Sequence, residues 1–191
     1  MLDMRSSLAA FRLFGLRVSI APAGALSFAG LAVAAAWLAG WRLHLSLGAA
    51  VLAGVLAALI FFVSDLLHQL GHAWAASRTG YPMTGIHFFL MLAASIYPPN
   101  EPELAPRLHV RRALGGFWVN VVVGLLFVPA ALALWPRGTE ILPTLPSLLA
   151  WLAAFTAVTN ILILGLGSLI PLPLPGGGVT DGGTLLKYWG R

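Results

Sequence analysis

Ser64-Asp65-Leu66-Leu67-His68-Gln69-Leu70-Gly71-His72-Ala73 lies within a long apolar run of the chain. Its two histidines are four residues apart. On a helix, residues i and i+4 stand one above the other on the same face. Two imidazoles so placed can close on one metal ion, which is the physical content of an H-x-x-x-H spacing. The plainer alternative is a pair of histidines that hydrogen-bond to neighbouring helices. Polar side chains are costly in lipid and usually mark a site there. Asp65 falls one turn before His68, in reach of a ligand histidine as a hydrogen-bond acceptor.

The surroundings of this stretch are those of a membrane protein. Of 191 residues, 59% are hydrophobic and 9% charged, and the mean hydropathy is +0.90. A soluble domain carries about 25% charged residues. The length allows about four spans of ~20 residues with short loops. There is no cysteine, which excludes disulfides, thiolate metal sites and cysteine nucleophiles. Any metal must be held by histidine and carboxylate. The net charge of +5 reads as membrane topology, because no basic cluster sits on a soluble module that would bind nucleic acid.

Working outward, the histidine stretch ends a span predicted over 47–76, with Gly80 as a left-handed cap. Before it, a span over 23–39 ends at Trp37, Trp41 and Arg42, residues suited to a membrane interface. His44 reads as a loop histidine. The segment from Phe11 to Ile20 reads as one short strand or interfacial piece. No cleaved signal peptide is expected, since the first long apolar run starts only after Pro22. After the second span, Tyr81 to Leu90 suggests a strand or re-entrant hairpin, in which His87 is a possible further ligand but more simply a strand histidine. Residues 98–103 are a loop, and Arg107, His109, Arg111 and Arg112 form a basic approach to a third span over 113–134. Gly115-Gly116 opens that span and permits close helix approach; Asn120 follows within two turns. A fourth span over 145–170 carries Asn160, then breaks at 171–178, a Pro/Gly run ahead of Asp181-Gly182-Gly183. Irregular backbone at membrane depth is tolerated where it lines a cavity, so the break points to a site. The bland reading is a solvated loop.

Four spans put the N-terminus, the 78–112 region and the C-terminus on one side. That side holds nine basic residues (Arg5, Arg12, Arg17, Arg78, Arg107, Arg111, Arg112, Lys187 and Arg191) against Arg42 and Arg137 on the other. The bias predicts cytoplasmic termini, in the plasma membrane of a prokaryote. The expected class is an all-α polytopic membrane protein. It has about four transmembrane helices, the last broken by the Pro/Gly stretch, and short β segments at the N-terminus and after the second span. Residues 1–191 are expected to form one domain, without a PDZ or other regulatory module.

Three separated pieces together resemble one family. His68-Gln69-Leu70-Gly71-His72-Ala73, the stretch from Gly116 to Asn120, and the stretch from Pro171 to Asp181-Gly182-Gly183 are similar in order and spacing to the motifs of the site-2 proteases, which are intramembrane zinc metalloproteases. Phe14-Gly15-Leu16-Arg17-Val18 resembles the strand before that family's core. The resemblance implies Zn²⁺ held by His68, His72 and Asp181, with Asn120 helping to hold a substrate carbonyl. It implies transmembrane segments of other proteins as substrates within the lipid bilayer. Three positions depart from the pattern. Gln69 stands where the family has its catalytic Glu, Phe117 where it usually has Pro, and Ser168 where it usually has Asn. An amide cannot take a proton from a zinc-bound water, and acid–base help is worth ~10²–10⁴ in rate. Activity is therefore expected to be absent or strongly impaired. Two histories fit: a pseudoprotease that binds without cutting, or an enzyme whose Glu was replaced to trap a state. Phe117 and Ser168 lean toward natural divergence. Because Glu and Gln are nearly isosteric, Gln69→Glu is expected to leave helix packing undisturbed.

Overall fold

The computed structural model describes residues 7–135, 144–174 and 178–190. Arg5, Arg137 and Arg191 of the charge bias, and Pro175, Gly176 and Gly177 of the Pro/Gly run, lie outside them. The chain begins with two strands where the sequence suggested one. β1 (Ala9–Leu13) and β2 (Leu16–Ile20) pair antiparallel. They are joined by a two-residue turn in which Phe14 (φ 49°) and Gly15 (φ 82°) are both left-handed. Such a turn matches the strand twist. Its usual signature is Asn-Gly or Asp-Gly, and Phe at the first position conceals it.

α1 (Pro22–Leu43) follows, with Pro22 in its first turn, where a missing N–H costs nothing. His44 caps its far end in a left-handed conformation (φ 50°). α2 (Leu47–Ser77) returns, and Gly80 adopts φ 82° two residues beyond its cap at Arg78. α1 and α2 meet through small residues. Ala35, Ala39, Ala53 and Ala57 are buried there, and a Cβ at Gly54 would strike the backbone of Ala36. Without a hydrophobic force between helices in lipid, such close contact is what holds them together.

The region after α2 is a second hairpin, β3 (Gly85–Phe88) and β4 (Ala93–Ile96). β3 pairs parallel to β2, giving one four-stranded sheet in the order β1-β2-β3-β4. The sheet therefore ties the start of α1 to the end of α2. Val18, Ile86 and Phe88 pack from it against Phe28 and Phe62 of the helices.

α3 (Pro106–Leu134) begins seven residues before the expected span. Arg107, His109, Arg111 and Arg112, the basic approach to the span, thus form its first turns, with Pro106 at the start of the helix, where a missing N–H costs nothing. A Cβ on Gly71 of α2 would lie 2.5 Å from the Gly115 carbonyl of α3, so the two helices touch backbone to backbone. The fourth span starts as α4 (Leu145–Val158), widens into a π-helical segment (Thr159–Gly165), and tightens into a 3₁₀ turn (Leu166–Leu169). Pro173 then pairs antiparallel with Val179, and α5 (Asp181–Tyr188) follows. Among the described residues, four helical segments are long and apolar enough to cross a membrane. Large apolar side chains such as Val33, Leu52, Leu126 and Leu132 face outward, as a lipid-facing surface requires. The protein is an integral membrane protein.

Candidate metal centre

α2 delivers His68 and His72 on one face, and α5 brings Asp181 to them from the far end of the chain. The His68 and His72 Nε2 atoms are 3.0 Å apart. Asp181 Oδ2 is 3.2 Å from His68 Nε2, and Asp181 Oδ1 is 3.3 Å from His72 Nε2. Both histidines are buried, and the Asp181 side chain is 13% exposed. The Asp181 seen in the sequence as either ligand or solvated loop residue is thus enclosed.

Glycines make this convergence possible. A Cβ on Gly116 would lie 2.6 Å from the His68 ring, so α3 leaves room for the imidazole. A Cβ on Gly182 would overlap the Leu169 carbonyl, so only glycine after Asp181 lets α5 seat against the 3₁₀ turn.

The far nitrogens of both rings are fixed. His68 Nδ1 is 2.9 Å from Asn120 Oδ1, and His72 Nδ1 is 2.8 Å from the Arg112 carbonyl. The Asn120 amide nitrogen donates to Asn160 Oδ1 at 2.9 Å, and Asn160 donates to Ser64 Oγ and the Thr156 carbonyl. This chain orients the Asn120 carbonyl toward His68. His68 Nδ1 therefore carries the proton, as the Asn120 carbonyl requires; His72 Nδ1 has the Gly116 N–H at 3.3 Å and the Arg112 carbonyl nearer, at 2.8 Å, and the nearer acceptor assigns it the proton, leaving both Nε2 lone pairs toward Asp181. Three acceptors then converge with no proton between them, and Asp181 Oδ2 is buried without a hydrogen bond. Such a cluster fits a divalent cation. Donors about 2.0–2.2 Å from one tetrahedral ion stand roughly 3.3–3.6 Å apart, and the spacing here is at or just inside that. Among the described residues, these three form the only such group of histidine and carboxylate donors.

The remaining candidates take other places. Gln69 is buried beside the ligands, but its amide turns to β4: Nε2 donates to the Ala93 carbonyl at 3.0 Å and Oε1 accepts from Ser95 Oγ at 2.7 Å. Asp65 accepts from the Ala93 N–H at 2.8 Å. Asn120 is fully buried behind His68 and does not line the cavity. His87 lies in β3, 2.8 Å from Ser19 Oγ, apart from the ligand cluster. Ser168 is on the cavity wall and donates to the Gly165 carbonyl at 2.9 Å, while Phe117 packs against Trp118 away from it. Two contributors had no role in the sequence reading. Asn160 showed only as a polar residue in a span, and Arg112 acts partly through its backbone carbonyl, which no side-chain pattern reports. The Arg112 guanidinium pairs with Glu101 at 2.7 Å, bonds the Tyr81 carbonyl, and lies 4.4 Å over the Tyr97 ring.

His68, His72 and Asp181 open into a cavity of about 410 Å³, walled by β4, the first turns of α3, the π-helical segment and the chain around Thr180. It is polar at the ligands and apolar toward Leu92, Ile163 and Leu172.

No family model matches the chain by sequence, and no curated protein does so either. By structure it is similar to the Site-2 Protease from Methanocaldococcus jannaschii, with a TM-score of 0.59 and 19% identity over 95% of this chain and 70% of that one. With four spans, a small sheet and a His-His-Asp cluster where the broken fourth span returns, the chain has the site-2 protease fold.

Proposed function

We propose that this protein holds one Zn²⁺ on His68, His72 and Asp181 and binds transmembrane segments of other proteins at its cavity without cutting them. The observation that carries the reading is Gln69. It stands beside the ligands where hydrolysis needs a group that takes a proton, it has none to offer, and both ends of its amide are engaged by β4. When bound, zinc would polarise a peptide carbonyl and lower the pKa of a water toward ~7. The chain's own residues would hold the ion and fix both rings, and nothing at position 69 would carry the proton. A cleaving enzyme is the second reading, favoured by the intact ligand set.

The test uses the purified full chain in detergent with a labelled single-span peptide. Retention of intact peptide is expected, with cleavage no faster than in chelator-treated protein. Cleavage that disappears on chelation would overturn the binding-only reading. The charge bias supports both termini being cytoplasmic. Since the chain has no cysteine, single cysteines at 42 and 107 can be labelled from either side. They are expected to label from opposite sides, 107 from the cytoplasm, and labelling from one side would refute the topology.

A further inference from the structure

We propose that Asp65 and Gln69 form a clasp on the outer edge of β4, and that position 69 is an amide because the clasp requires one. The Phe89 N–H donates to the Leu92 carbonyl and the Thr84 N–H to the Ile96 carbonyl. In an antiparallel pair this turns the backbone groups of Ala94 and Ile96 toward β3 and those of Ala93 and Ser95 outward. An unpaired outer edge buried in protein would leave those groups unsatisfied. At Ala93 both are taken. Its N–H donates to Asp65 Oδ2 at 2.8 Å, and its carbonyl accepts from Gln69 Nε2 at 3.0 Å.

Asp65 and Gln69 are four residues apart on α2 and so share a face. They present Ala93 with one acceptor and one donor, as a neighbouring strand would. Ser95 Oγ closes the set by donating to Gln69 Oε1 at 2.7 Å. Position 69 must therefore donate and accept at once. Glutamine does both. A carboxylate there would turn an oxygen toward the Ala93 carbonyl, one helical turn from the Asp65 carboxylate. Gln69→Glu would keep the shape of the side chain but lose the bond to the Ala93 carbonyl. β4 is a wall of the cavity, so the clasp fixes that wall relative to the ligand-bearing helix and closes the Ala93 edge to any other chain.

Hydrogen exchange of the full chain in detergent, resolved to the Ala93 amide and to the 93–96 segment, tests the clasp. Asp65→Leu is expected to speed exchange at Ala93 about tenfold or more, whereas Asp65→Asn, which keeps an acceptor, holds it within about threefold of the unaltered protein. Gln69→Met, similar in length but without donor or strong acceptor, is expected to speed exchange across 93–96. Ser95→Ala removes only the outer bond and serves as the mild variant should the others fold poorly; a smaller rise in the same segment is expected. Equal exchange in Asp65→Leu and the unaltered protein, or no change in Gln69→Met, would overturn the clasp. Metal content measured on the same samples reports on the ligand reading separately, because no member of the clasp is a ligand.

Discussion

At the scale of residues, the spacing of His68 and His72 was enough to place both imidazoles on one face, because helical periodicity alone decides it. The third member of the cluster was not legible from spacing. Asp181 is more than a hundred residues away; the Pro/Gly break ahead of it marked a site, and the resemblance in motif order joined it to the histidines. Asn120 was legible as a polar residue near the site but not as the one that faces His68. Which side of α3 meets α2 is decided by the Gly71–Gly115 contact, and that contact aims Asn120 at Nδ1 and away from the cavity. Its carbonyl fixes the tautomer that leaves Nε2 free. Partners of this kind are worth about 10–100-fold in metal affinity when removed. Asn120→Ala is expected to weaken zinc binding by that order, read by competition with a chromophoric chelator, while Asn120→Asp, which keeps an acceptor, loses less. Unchanged affinity in Asn120→Ala would remove the residue from the site.

At the scale of elements, the four spans were readable because twenty apolar residues in a row have few other uses. The strands were harder. The first hairpin read as one strand because its turn places Phe14, exposed and left-handed, where Asn or Asp would have announced it. The π-helical segment at Thr159–Gly165 has no sequence signature, since it answers to packing against α3 and to the Asn160 bonds. The turn supplies a prediction. Gly15 at φ 82° has open space around it, so a β-branched side chain there meets backbone strain and no clash. Gly15→Val is expected to destabilise the protein by about 1–2 kcal/mol, seen as a lower thermal midpoint in detergent, with zinc binding retained. An unchanged midpoint would show that the hairpin contributes little to the fold.

At the scale of the whole molecule, the sheet and the broken fourth span do complementary work. The sheet joins the start of α1 to the end of α2 and holds the ligand-bearing turn of α2 against β4. The fourth span unwinds through π-helix and 3₁₀ turn, and the return that pairs Pro173 with Val179 seats Asp181 on the histidines. A straight helix to residue 181 would carry that carboxylate away from them, so the departure from regular helix is what assembles the site. The fold is that of the site-2 proteases and His68, His72 and Asp181 converge as a metal site would need, while Gln69, Phe117 and Ser168 depart from the pattern, the first of them where a proton would have to be taken. The most direct test of this account is the metal content of the full chain purified without chelator, by elemental analysis with X-ray absorption at the metal edge. One zinc per chain is predicted, bound by nitrogen and oxygen ligands without sulfur, falling to near zero in His72→Ala and in Asp181→Ala. Protein that stays folded but takes up no stoichiometric metal when zinc is supplied, or that keeps its zinc when Asp181 is removed, would contradict it.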